Sequence, residues 1–190
     1  MESLQSLDVQ LLEALRIWHA PWLDRLMAAA TIGGIMGGVW QLLALVGLTR
    51  ARWRAAAWRT LLTVWLALLV VDGIAKPLVN RARPAVPPSP TRTLPGASLT
   101  SAFPSGHATS AFAGAVAVSR MWPATRVVWW GLAVLIAYSR IYLGHHYPSD
   151  VVGGALLGIA IAMWVLGGRH RATCGNTLPN PLPAGVRVKP

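Results

Sequence analysis

Apolar residues gather in long blocks rather than in the short periods of a soluble domain. The clearest block is Leu26 to Leu48, 23 residues without a formal charge. At 1.5 Å per residue that is enough to cross the roughly 30 Å hydrocarbon layer as a helix. A second run goes from Thr60 to Ala75, interrupted by Asp72 and ending at Lys76. A third, Ala108 to Ser119, reaches spanning length if the helix starts at Ser105 and ends at Trp122. Pro123 and Arg126 mark a turn before a fourth run, Val127 to Ser139, and the fifth is Val151 to Gly168. The pattern predicts an all-α integral-membrane bundle of about five transmembrane helices. Gly33, Gly34, Gly37 and Gly38 form two overlapping GxxxG pairs and Gly154 with Gly158 another, spacings that let helices approach closely. Ahead of these runs, Leu4 to Trp18 places Leu7, Leu11, Leu12 and Leu15 on one face, as an amphipathic helix lying on a membrane surface does. The link from Pro84 to Pro104 is rich in Pro, Ser and Thr. One membrane domain is therefore expected over residues 1–172, followed by a disordered tail over 173–190.

Composition supports the membrane reading. Only 12% of residues are charged and mean hydropathy is +0.49, against about 25% charged in ordinary soluble domains. Cys174, the single cysteine, excludes an intrachain disulfide framework and a multi-cysteine zinc site. The opening MESLQSLDVQ carries acids where a secretory signal needs positive charge, so no cleaved signal peptide is expected.

Charge then orients the spans. Ten of the 17 basic residues fall in the links between runs one and two, between runs three and four, and in the tail, while the six acids fall on the other side. Basic loops stay cytoplasmic, so the N-terminus is expected outside and the C-terminus in the cytoplasm. Trp18, Trp22, Trp53, Trp58 and Trp122 fall near interfaces, as an aromatic belt does. Insertion explains most of the net charge of +11, which does not point to nucleic acid.

The outward ends of four runs carry Lys76, Arg81, Arg83, Ser105, His107, Arg140, His145, His146 and Asp150. Ionisable groups at membrane depth are costly, so such a set marks a functional site. Lys76 and Arg83 are seven residues apart, about two helical turns, and with Arg140 make a receptor for a dianion such as phosphate. Arg81 is expected at the surface. PSGH, residues 104–107, reads as a tight turn opening a helix, whose free N–H groups and Ser105 hydroxyl bind anions. Ser105 as an ordinary N-cap and His107 as a satisfied interfacial histidine are the plain alternatives.

His146 and Asp150 are four apart, so a carboxylate accepting the Nδ1 proton would leave Nε2 as a nucleophile toward phosphorus. His145 is read as a structural neighbour. Zinc on these histidines is disfavoured by the adjacent cations. Asp72, one turn before Lys76, either pairs with it or faces water.

Together these segments resemble the type-2 phosphatidic acid phosphatase superfamily, which shares its site with vanadium-dependent haloperoxidases. KxxxxxxRP appears as Lys76, Arg83 and Pro84, PSGH as Pro104 to His107, and SRxxxxxHxxxD as Ser139, Arg140, His146 and Asp150. The resemblance covers Lys76 to Asp150, and the lead-in LRIWHAPWLDRLM looks like that of small bacterial members. It implies His146 as the nucleophile, Asp150 orienting it and His107 as general acid and then base. Lys76, Arg83, Arg140, Ser105 and the Gly106 amide would hold the phosphate oxygens. It implies no metal and no other cofactor.

The implied activity is lipid phosphatase at the outer face of a bacterial inner membrane. The partners are then a phosphorylated lipid substrate and membrane lipids. Undecaprenyl diphosphate is the first expectation, with phosphatidylglycerol phosphate, phosphatidic acid and lipid A as alternatives. Vanadate-dependent halide oxidation and a non-enzymatic headgroup-binding protein are the rival classes. Oligomeric state is not legible in the sequence.

Overall fold

A computed structural model describes residues 2–15, 20–84 and 101–167, and all regular structure among them is helical. Most of the Pro-rich link, the tail, Trp18 and Cys174 lie outside the described residues. The helices are α1 (Glu2–Leu15), α2 (Pro21–Gly34), α3 (Gly38–Leu48), α4 (Arg54–Val70), α5 (Lys76–Val79), α6 (Gly106–Met121), α7 (Arg126–Tyr142) and α8 (Pro148–Gly167).

Helix α6 is the centre, packed along α8, α7 and α4. Its sequence, GHATSAFAGAVAVSRM, explains the position, because small side chains let three neighbours close in at once. A Cβ on Gly114 would lie 2.3 Å from Cγ of the fully buried Trp40 in α3. On the α8 side, a Cβ at Gly154 would meet the Ser105 carbonyl at 2.6 Å, and one at Gly158 the Thr109 carbonyl at 2.2 Å. Helix α8 therefore runs backbone against backbone along the start of α6, as its GxxxG spacing predicts.

The first apolar run departs from expectation. It is broken by a short 3-10 turn in which Met36 (φ 52°) and Gly37 (φ 69°) are both left-handed, the former an uncommon conformation for an L side chain. Nε2 of Gln41 donates to the Met36 carbonyl at 2.7 Å, satisfying an acceptor at the break. The break also undoes the two glycine pairs. A Cβ at Gly34 would press on Ile136 and one at Gly37 on Val64, each at 2.6 Å, while at Gly33 nothing lies within 4 Å.

The second run ends differently too. A π-helical turn, Val71–Ala75, precedes α5, and Asn80 (φ 44°) then closes that helix in the left-handed region. Lys76 and Arg83 thus do not share one continuous helix.

Three helical runs among the described residues are long and apolar enough to cross a membrane: Pro21–Leu48, Ala51–Val79 and Pro148–Gly167. Helices α6 and α7 have 16 and 17 residues, and 16 residues rise only about 24 Å. Encasement by neighbouring helices accounts for the modest hydropathy of α6. Helix α1 packs on α7 and α8. Its leucines divide: Leu12 is buried in a cluster with Ala108, Ile141, Tyr147 and Val151, whereas Leu7, Leu11 and Leu15 are exposed.

Candidate active site

The PSGH turn sits where α6 begins. Phe103–Pro104 is a cis peptide, Ser105 is extended at the N-cap, and its amide donates to the Asp150 carbonyl at 3.0 Å. The Ser105 carbonyl accepts from the amide and hydroxyl of Thr109, both at 2.9 Å. Its hydroxyl, in contrast, makes no capping bond and is buried without a hydrogen-bond partner. The plain N-cap alternative is therefore not what the side chain does. Helix starts leave their first amides without intrahelical acceptors. A Cβ at Gly106 would lie 3.8 Å from Lys76 Nζ, so the ammonium stands beside those amides.

His107 follows. It has a backbone hydrogen bond with Thr31 of α2, while its Nε2 is buried without a partner. Thr31 serves the opposite wall as well. Arg140 Nη1 donates to the Thr31 hydroxyl at 3.3 Å, which lies 2.7 Å from the Ser139 hydroxyl, which in turn donates to the Ile136 carbonyl at 2.6 Å. The fully buried Arg140 is thereby fixed from α2, 109 residues away.

The loop between α7 and α8 is folded back on Arg140, whose carbonyl accepts from the amides of His145 (3.0 Å) and His146 (3.3 Å). Gly144 makes the reversal possible at φ 69°. Arg83 reaches this loop, donating to the His145 carbonyl at 3.1 Å and lying 3.4 Å from His146 Nε2. Lys76 Nζ, on its own side, pairs with Asp72 at 2.6 Å, the pairing that the four-residue spacing suggested.

Around His146 the picture differs from the expected carboxylate–imidazole bond. The nearest acceptor for Nδ1 is the Ala102 carbonyl at 2.7 Å; Asp150 Oδ2 is 3.7 Å away. The carboxylate is already engaged, accepting from the Tyr147 amide at 2.9 Å and from Arg81 at 2.7 Å. A carbonyl is acceptor-only, so it fixes a proton on Nδ1 and leaves the Nε2 lone pair facing Arg83. Burial pushes the His146 pKa down to about 4, with Arg83 and Arg140 adding to that and Asp150 opposing it. The ring is therefore neutral at pH 7.

Arg81 is the second correction. It is not a surface residue: it bridges Asp8 and Asp150 at 2.6 and 2.7 Å and lies over the Tyr147 ring at 4.4 Å.

Lys76, Arg83, Gly106, His107 and His146 line one cavity of about 580 Å³, with Asp72, Asn80 and Ser101. Met36 and Ile35, at the break in the first run, and Leu68 supply its apolar wall. Ser105, Arg140 and Asp150 stand behind this lining, fully buried. Thr31, Ala102 and Asp8 escaped the sequence reading, and Arg81 was named in it but assigned to the surface. Arg81's place between Lys76 and Arg83 was the signal that could have tied it to the site.

Cations, a helix start and imidazoles thus converge on one cavity beside membrane-length helices, and the family the chain belongs to makes it a membrane phosphate ester hydrolase. The chain belongs to the PAP2 superfamily, whose family model matches residues 56–174, more than half of its length. It is 31% identical to a lipid A 4'-phosphatase of Bacteroides thetaiotaomicron, over 83% of this chain and 75% of that one. It is 39% identical to a decaprenylphosphoryl-5-phosphoribose phosphatase of Mycobacterium tuberculosis, over 70% and 75%. The crystal structure of a transmembrane PAP2-type phosphatidylglycerolphosphate phosphatase from Bacillus subtilis has the same fold. Its TM-score is 0.69 at 22% identity, covering 93% of this chain and 90% of that one.

Proposed function

We propose that this protein hydrolyses the phosphate or diphosphate headgroup of a membrane lipid through a phosphohistidine intermediate. The observation that carries the reading is the placement of the Nε2 face of His146, 3.4 Å from Arg83, on a cavity that Lys76, Gly106 and His107 also line. Cations there stabilise charge on the equatorial oxygens, on which phosphoryl transfer mainly depends. His146 Nε2 attacks phosphorus while the bond to the leaving oxygen breaks, and His107 gives that oxygen a proton. Water, losing a proton to His107, then attacks phosphorus, breaks the N–P bond and releases inorganic phosphate. Lys76, Arg83, Arg140, Ser105 and the Gly106 amide hold the oxygens, and Asp150 acts on the loop bearing His146.

The protein is placed in a bacterial inner membrane with five spans, α2/α3, α4/α5, α6, α7 and α8. The site faces the periplasm and the C-terminus the cytoplasm, as the distribution of basic residues suggests. Helix α1, with Leu7, Leu11 and Leu15 outward, lies at the interface. Undecaprenyl diphosphate stays the first substrate to test. A Sulfolobus acidocaldarius undecaprenyl-diphosphatase, 35% identical over 52% of this chain and 48% of its own, supports it. The relatives aligned over more of the chain support lipid A and decaprenylphosphoryl-5-phosphoribose as further candidates. The test offers purified protein in detergent with EDTA a panel of these lipids, phosphatidylglycerol phosphate and phosphatidic acid. Inorganic phosphate released is measured against His146→Ala. Activity on one lipid class, lost in the variant, is the expected outcome; full activity in the variant ends the nucleophile assignment.

A further inference from the structure

The bonds around Arg81 converge on His146 from two directions. Its guanidinium donates to Asp150 Oδ1 at 2.7 Å, and Asp150 Oδ2 stands 3.7 Å from His146 Nδ1. Through its backbone, the Arg81 carbonyl accepts from the Ala102 amide at 2.8 Å, and its own amide donates to the Ser101 hydroxyl at 2.9 Å. Ala102 is the residue whose carbonyl meets His146 Nδ1. Both oxygens facing Nδ1 are thus tied to one arginine.

That arginine is held from outside the matched family region. Asp8 of α1, almost wholly buried, accepts from Arg81 Nη2 at 2.6 Å, from the Ser149 amide at 3.0 Å and from the Ser149 hydroxyl. The Ser149 hydroxyl also accepts from Arg81 Nη1 at 2.7 Å. A fork spanning two carboxylates is a geometry that a guanidinium provides and an ammonium does not.

We propose that Arg81 and Asp8 are positioning residues: the Asp8–Arg81–Asp150 clamp fixes the loop bearing His146, which makes α1 a working part of the site. This rests on His146 as the nucleophile. The hydrogen bonds of the clamp's side chains go to one another, to Ser149 and to the Tyr147 amide, not to the groups assigned to phosphate oxygens; the one link to those groups is main-chain, from the Ser105 amide to the Asp150 carbonyl at 3.0 Å. Loosening it therefore alters the aim of the imidazole and leaves anion binding alone, whereas a merely structural anchor would alter folding and every activity together.

Asp8→Asn and Arg81→Gln, purified in detergent, test this with lipid phosphate release, thermal midpoint and inhibition by inorganic phosphate measured side by side. Expected is a fall in kcat of up to about 10²-fold for Arg81→Gln, the size of a 1 Å misplacement, and a smaller fall for Asp8→Asn. The phosphate inhibition constant stays unchanged. Arg81→Lys keeps the charge without the fork and regains folding but not full kcat. Should Arg81→Gln fail to fold, Asp8→Asn decides. Unchanged kcat in folded variants, or loss of kcat in step with phosphate inhibition and folded fraction, overturns the clamp. Modification of His146 by diethyl pyrocarbonate, quantified by mass spectrometry, reads ring freedom without turnover. It is expected to be faster in both variants, and wild-type rates overturn the proposal. A wild-type protein that releases no phosphate from any lipid sinks the functional reading instead, and the modification rates still judge the clamp.

Discussion

The two ends of α6 share one small-residue helix and are built for opposite tasks. At its carboxyl end Trp122 packs edge-on against Trp53, with centroids 5.4 Å apart, and beside Trp129 at 5.9 Å. Arg120 donates to the Leu166 carbonyl at 2.8 Å, covering a backbone acceptor at the end of α8. At its amino end Ser105 Oγ and His107 Nε2 are buried without partners, beside two cations lining a cavity. Missing partners alone do not distinguish the ends, because Ser119 Oγ and Trp129 Nε1 also lack them. What differs is convergence. At the amino end the unpartnered His107 and the cations line one cavity, with the unpartnered Ser105 hydroxyl next to it in sequence beside Gly106, the arrangement that an incoming anion would complete.

The largest effect expected from breaking the amino end is at His107. His107→Asn removes the proposed proton donor without charging the pocket, and should lower kcat by about 10²- to 10⁴-fold. A phosphate ester with a good leaving group, such as p-nitrophenyl phosphate, should recover most of that loss, since its leaving oxygen needs no proton. Equal losses on both substrates would move His107 out of the acid role.

Acid should distinguish the ends next. Burial lowers the His146 pKa from 6.5 to about 4, and the neutral ring is the proposed nucleophile. Accordingly kcat/KM should be insensitive to this group above pH 4 and fall about tenfold per unit below it. Stability behaves differently. Between pH 6.5 and 4 the unfolded imidazole binds a proton that the folded one does not, so folding weakens as pH falls through that window. Brief assays with the enzyme returned to neutral pH afterwards separate the two. A limb in kcat/KM near pH 6.5 would show that burial does not govern this ring.

Lys76→Met comes third. Loss of one charged hydrogen bond, about 1.5 to 3 kcal/mol, should raise KM and the phosphate inhibition constant by about 10- to 10²-fold. At the packing surface between α6 and α8, Gly158→Ala is the contrasting change. The Cβ would meet backbone at 2.2 Å, which cannot rotate away. The expected cost is about 1 to 3 kcal/mol of stability, read as a lower thermal midpoint, with KM unchanged in the folded fraction.

What the sequence disclosed follows from distance along the chain. Lys76 to Asp72 and Gly154 to Gly158 are four apart, within reach of helical periodicity, and both behave as that spacing implies. The three short motifs named five residues that line the cavity, Lys76, Arg83, Gly106, His107 and His146, for the same reason: each motif is a local turn or helix end. The positioning contacts were invisible because they join residues 73, 109 and 44 apart: Arg81 to Asp8, Arg140 to Thr31, His146 to Ala102. The last uses a carbonyl, which no residue type announces. The break at Met36 was hidden for another reason. Glycine permits a left-handed turn without requiring one, and inside a long apolar run the simpler reading is a continuous helix.

The smallest expected effect tests whether the Lys76 side of the cavity is as firmly set as the His146 side. Asp72 is half exposed, with 53% of its side chain open, whereas the carboxylate at Asp150 is fully buried. Exposed pairs are worth about 0.2 to 1 kcal/mol and are screened by salt. The Asp72 carboxylate has two opposed influences on a phosphate, holding the ammonium in place and repelling the anion. At 2.6 Å from Nζ the tether is the shorter-range contact. Asp72→Asn should therefore raise KM by about two- to fivefold, with kcat unaltered and the difference shrinking at high salt. A lower KM in the variant would mean that repulsion outweighs the tether, and that Lys76 holds its place without Asp72.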